Sequence, residues 1–300
     1  MRFTIVFFLS GLLLSTAWWG CKKQEANDIH IDTVISNNNP PPYNGVSDVQ
    51  ITTYINKLYI DLLGRAPSQE EIEDGLDYLQ DHDLKAEARD TLIGQLIETS
   101  AYYKRLFDLN SADIINGADS ADISYEIQLF SFLYYLDSLN GNEENFIYYQ
   151  YELIRLADLQ NVTTNFMSGA VSLNDYFAAF LNNYLYDQVN MGSENFVKGS
   201  FSDLFRRSPT TSELASGVGM VDNVPSILLL QSGTSKGDFI RIVTTCTEFY
   251  EGLVLKTYEQ LLLRDPSSEE MSSGTAQLEQ SNDFPEFEKT IMKSTEYAGF

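Results

Sequence analysis

From Ser47 onward the apolar residues return every third or fourth position, the rhythm of a helix that buries one face. In SDVQITTYINKLYIDLL, the positions Ile51, Tyr54, Ile55, Leu58, Tyr59, Leu62 and Leu63 fall on one stripe. Ser47 with Gln50 three residues later is a capping-box start. Gly64 follows the last apolar pair and suits the left-handed residue that ends a helix, and Pro67 blocks its resumption. Ser68 and Glu71 then form a second capping box, opening a helix with Ile72, Leu76 and Leu79 on one face. The pattern is helix, stop, corner, helix.

The same thirteen-residue phrase occurs three times: YIDLLGRAPSQEE from Tyr59, FSDLFRRSPTTSE from Phe201 and YEQLLLRDPSSEE from Tyr258. The copies align without gaps. Arg65, Arg207 and Arg264 share one column, and Pro67, Pro209 and Pro266 another. The cap is Ser68, Thr210 or Ser267, and its partner is Glu71, Glu213 or Glu270. Four residues on, Gly75, Gly217 and Gly274 recur. A glycine inside a helix costs about 1 kcal/mol against alanine, so its repetition predicts a second helix passing close by. Each copy closes on a similar phrase, Ser100 to Tyr103, Cys246 to Phe249 and Ser294 to Tyr297, which sets Cys246 in a column of small residues.

Between the first two copies, three aromatic-rich stretches keep helical spacing: ISYEIQLFSFLYYLDSL, NFIYYQYELIRLADL and DYFAAFLNNYLYDQV. No alternating strand pattern and no Asn-Gly or Asp-Gly hairpin stands out, and Ser232 to Gly237 reads as a Gly/Ser loop. The predicted fold is all-α, with three R-x-P-[ST]-x-x-E helix-corner-helix modules and a helical insert. The expected divisions are a signal peptide over 1–20, a tether over 21–46, a first module over 47–107, the insert over 108–192, and two modules in tandem over 193–300.

The phrase Tyr59-Ile-Asp-Leu-Leu-Gly-Arg-Ala-Pro67 resembles the Y-x-D-L-L-G-R-x-P signature of a repeated helical module of unknown function in secreted and surface bacterial proteins. Its continuation through Glu71 is also similar to the start of cytochrome-c-associated domains of unknown function in large envelope proteins. The likeness covers about 60 residues around the first copy. It departs from the first group in lacking the Gly and Trp that close its second helix, and from the second in having no C-x-x-C-H haem site. The resemblance implies a helical module displayed outside the cytoplasm and carries over no catalytic residue.

The N-terminus adds a destination. Met1-Arg2 precedes an apolar run over residues 4–19, which is shorter than the ~20 residues a spanning helix needs. The run ends in Gly20-Cys21, similar to the lipobox of bacterial lipoproteins, although Trp18 stands where that family carries an aliphatic residue. The expectation is lipid attachment at Cys21 and anchorage in the cell envelope. Lys22 points, by analogy with lipoproteins generally, to the outer membrane. A polar stretch with Pro40-Pro41-Pro42 follows, suited to a semi-rigid tether.

The formal charge is -24, from 43 acidic and 19 basic residues, and no basic cluster exceeds a short pair, so nucleic-acid binding is excluded. Beyond Cys21 the only cysteine is Cys246, which leaves no intramolecular disulfide once Cys21 carries lipid. With His30 and His82 the only histidines, Cys246 reads as a small buried residue, not a nucleophile. Asp81-His82-Asp83 and the set Asp113, Asn116, Asp119 and Asp122 read as solvated acidic segments, since neither has EF-hand spacing. The repeated arginines sit where helix C-termini offer free carbonyls, a structural role. No catalytic residue, metal or cofactor is assigned. The expected protein is a monomeric envelope lipoprotein that interacts or scaffolds, its partner another envelope protein or a glycan. The rival is a glycan-binding or glycan-degrading protein, which needs an exposed aromatic groove with convergent carboxylates in the insert.

Overall fold

The computed structural model describes residues 45–300, so Cys21, His30 and the tether lie outside the described residues. The predicted helices form where the apolar stripes place them. The first, α1 (Asp48–Leu63), begins at the Ser47–Gln50 capping box and ends at Gly64 in the left-handed conformation. It buries Ile51, Tyr54, Ile55, Leu58 and Leu62 completely or nearly so. The chain continues through α2 (Gln69–Asp81), α3 (Ala86–Ile97) and α4 (Ser100–Ile114). The insert supplies α5 (Ser120–Asn140), α6 (Glu143–Met167), α7 (Leu173–Leu181) and α8 (Tyr184–Val189). Then come α9 (Ser193–Phe205), α10 (Thr211–Val221), α11 (Lys236–Thr245), α12 (Thr247–Leu262), α13 (Ser268–Ser281), α14 (Phe284–Met292) and α15 (Thr295–Ala298).

Two local readings need correction. A two-stranded antiparallel hairpin, β1 (Ser226–Leu228) with β2 (Gln231–Gly233), stands where the sequence predicts no strand. Its two-residue loop, Leu229-Leu230, has positive φ at both positions, the geometry that usually demands Asn-Gly. The supposed loop Ser232 to Gly237 is therefore the end of β2, a cap at Ser235 and the first turn of α11. The stretch DYFAAFLNNYLYDQV is also two helices. Asn183 breaks it, using its side-chain oxygen to accept from the Tyr186 N–H and start α8.

One apolar cluster runs through most of the helices. Its aromatic centre joins Phe107, Phe166, Tyr176, Phe177, Phe180 and Phe249 edge to face or tilted, linking α4, α6, α7 and α12. The first described helices also meet the last ones. Tyr54 packs edge-on against Tyr297 and Phe300, Arg89 donates to the Lys293 carbonyl, and the Tyr297 hydroxyl donates to Asp61 at 2.7 Å. Among the described residues no helix is long and apolar enough to cross a membrane.

Candidate interaction site

The three corners share one internal geometry. Each arginine holds the capping glutamate bidentately across six residues: Arg65 to Glu71, Arg207 to Glu213 and Arg264 to Glu270, at 2.7–2.9 Å. Each also donates to the carbonyl of the next residue, Ala66, Ser208 or Asp265. The same glutamate accepts from the cap N–H of Ser68, Thr210 or Ser267, while the cap oxygen accepts the glutamate N–H. Pro67, Pro209 and Pro266 stand in the turn between helices, where a missing N–H is harmless. The hydrogen bonds from arginine hold Glu71, Glu213 and Glu270 down to about 2. Each guanidinium lies over an aromatic ring of the preceding helix, Tyr59, Phe201 or Tyr258. The hydrogen bonds of Arg65 all close on its own corner.

A second acid reaches two of the corners. Glu248 binds Arg207 and Glu296 binds Arg264, each through two oxygens. The caps of α4, α12 and α15 are Thr99, Cys246 and Ser294, so the first closing phrase slips by one residue against the sequence alignment. In the corrected register Ala101 stands where the others have Glu248 and Glu296, and Arg65 lacks the second clamp. Tyr102, Phe249 and Tyr297 become the shared buried column. Cys246 stands at a helix cap and is half-buried against the apolar cluster, and its side chain accepts no cap hydrogen bond. Burial raises its thiol to about 11, a poor state for a nucleophile.

Gly75, Gly217 and Gly274 lie in α2, α10 and α13. An added Cβ would meet Ile55 at the first and Val197 with Phe239 at the second. At the third it would meet Val254 with Phe287. The acidic segments disperse. Asp81 ends α2, His82 bonds the Tyr78 carbonyl, and Asp83 pairs with Lys85. Asp113 belongs to α4 and pairs with Lys256, whereas Asp119 and Asp122 are the two members of the α5 capping box. Among the described residues no group of three or more His, Cys, Asp and Glu side chains gathers to hold a metal.

The insert carries two further features. Arg155 on α6, nearly fully buried, binds Glu152 and Asp187, and Lys236 on α11 also binds Asp187. Burial raises Glu152 and lowers Lys236, so this network of two acids and two bases joins α6, α8 and α11 under strain from desolvation. Beside it, α6, α7 and α11 enclose a cleft of about 420 Å³. Its floor is Val162, Ala178 and Ile240, and its rim carries Asp158, Asp175 and Arg241. No aromatic ring lines it.

The rings lie instead on the helical hairpin formed by α5 and α6. One seam of α5, Ile123, Ile127, Phe130 and Tyr134, follows a 4-3-4 spacing; Phe130 packs against Tyr149, and Tyr134 stacks on Phe146, both of α6. Tyr125, Leu129, Phe132, Leu136 and Leu139 repeat a 4-3-4-3 spacing two residues out of phase, which puts them on the opposite face. All five are exposed. On α6, Ile147, Tyr151 and Ile154 are exposed too. The sequence offers the insert's aromatics to the glycan-binding rival or to the core and singles out none of these residues. The signal for them is the doubled heptad spacing with no charge from residues 127 to 136. Comparison with known proteins found no matching family model, no matching curated protein and no matching solved structure.

Proposed function

We propose that this chain is a lipid-anchored envelope protein that works by binding another macromolecule through its helical hairpin. The observation that carries the binding role is the exposed apolar face of α5, since a helix apolar on opposite sides is normally covered on both. The repeated arginine, cap and glutamate are engaged with one another in each corner, which supports a structural use of the motif. Three copies of one module fit the equivalent contacts of Gly75, Gly217 and Gly274, with α12 shared between the second and third. The anchor rests on Gly20-Cys21 behind the short apolar run. The glycan reading draws no support from the cleft, where carboxylates occur without rings. It draws some from the exposed rings of α5 and α6, since wholly buried aromatics were the mark of the scaffold.

The test has two arms in intact cells. Wild-type chain takes up a lipid label and fractionates with membranes, and Cys21→Ala abolishes both. A photo-crosslinking residue at Tyr135 on α5 captures a macromolecular partner, whereas one at Gln277 on α13 does not. Membrane fractionation without any label would overturn the anchor, and equal capture at both positions would overturn the hairpin as the binding element.

A further inference from the structure

We propose that the outer face of α5 is a self-association surface on which two copies of this chain pack antiparallel. The inference deepens the binding role by naming the partner, and it replaces the monomer expected from the sequence. Three observations carry it.

The first is spacing. Tyr125, Leu129, Phe132, Leu136 and Leu139 form a seam with the 3.5-residue period that lets one helix run along another. The seam is self-complementary about Phe132. When the copies are antiparallel, Phe132 meets Phe132, Tyr125 faces Leu139, and Leu129 and Leu136 come within one residue of facing each other. Such a contact is isologous and closes as a twofold dimer.

The second is charge. Two chains of formal charge -24 repel each other, so a contact between copies must sit where acids are missing. Residues 127–136 hold no charged side chain, and within the seam the only acids, Glu126 and Asp137, stand near its two ends. A basic partner would be drawn to the acidic surface elsewhere, and an anionic lipid surface would be repelled.

The third is area. The five side chains are 65%, 37%, 58%, 36% and 65% exposed. At about 200 Å² each, covering them removes roughly 500 Å² per copy, or about 1,000 Å² in all, near the lower bound of specific interfaces. An interface this small makes the dimer concentration-dependent.

Sedimentation equilibrium of the purified full chain, from roughly 1 to 100 µM, tests this directly. The average mass moves from one chain toward two, and added salt strengthens the dimer by screening like charge. Phe132→Glu raises the dissociation constant at least about tenfold. At concentrations where both are monomeric its unfolding midpoint stays close to that of the wild type, because most of the side chain is exposed in the monomer. Register is read by cysteine pairs in a Cys246→Ser background under mild oxidation. Phe132→Cys links to itself, and Tyr125→Cys links to Leu139→Cys in a mixture but not to itself. A chain that stays monomeric throughout the range overturns the proposal, as does a dimer that salt dissociates. So does binding to neutral phosphatidylcholine vesicles that Phe132→Glu abolishes, which would assign the face to a membrane. Partner capture at Tyr135 with no self-association would defeat this inference and leave the binding role standing.

Discussion

Alanine at the three repeated glycines separates helix propensity from close packing, because the two effects have opposite signs. Propensity alone favours alanine by about 1 kcal/mol in a helix interior. At Gly217 the new Cβ would stand 2.8 and 3.0 Å from the two Val197 methyls and 3.0 Å from the Phe239 ring. Both neighbours are fully buried, and valine has no rotamer to yield into. At Gly274 it would stand 2.9 Å from the Phe287 ring edge and 3.0 Å from a Val254 methyl. Overpacking of this kind costs about 1–3 kcal/mol, so Gly217→Ala and Gly274→Ala lose about 1 kcal/mol net. Gly75 differs. There the closest atom, at 3.1 Å, is the terminal methyl of Ile55, which can turn aside. Gly75→Ala is expected within about 0.5 kcal/mol of wild type, on either side. Urea unfolding at constant m reads the order directly. A Gly217→Ala protein more stable than wild type would refute the packing argument.

Leu263 sits at the end of α12 with positive φ and is almost wholly exposed, so Leu263→Gly should stabilise by about 1 kcal/mol in urea melts. Arg207→Met should cost more than Arg65→Met, since Arg207 is clamped by both Glu213 and Glu248; equal losses in chemical denaturation would deny the second clamp a role. Glu288 is buried against the Tyr102 hydroxyl, and burial pushes its carboxyl up to about 7. Its folded pKa lies above the unfolded value, so its contribution is complete at low pH and is lost as pH rises through 7. From pH 5 to pH 8 wild type should lose on the order of 2 kcal/mol relative to Glu288→Gln, and parallel stability profiles would contradict this. The corners act in the other direction. With Glu71, Glu213 and Glu270 held near 2, their contribution is present above the ordinary carboxyl range and falls as pH drops toward 2, a loss that Glu213→Gln should lessen in acid unfolding.

What was legible in the sequence was local. The stripe of α1 and the capping boxes depend on residues within one or two turns, so spacing alone reveals them. The Arg–Glu clasp spans six residues, a separation that faces nothing on a single helix; it exists only because the proline corner folds α2, α10 or α13 back. The β1–β2 hairpin was invisible because Leu229-Leu230 carries none of the residues that favour positive φ. The break at Asn183 hid inside an apolar run, and the slip at Thr99 hid behind the neighbouring Ser100, since either residue can cap a helix. The outer face of α5 was the costliest omission. Tyr and Phe at helical spacing look the same whether the body covers them or not, and exposure emerges only once α5 is packed against α6.

The central claim is that the outer face of α5 is covered when the protein is at work. The most direct measurement is the reactivity of Phe132→Cys, in a Cys246→Ser background, toward a water-soluble maleimide. The account predicts rapid labelling of dilute purified chain and at least about tenfold slower labelling in intact cells, where a partner occupies the face. Equal rates in the two settings would contradict it.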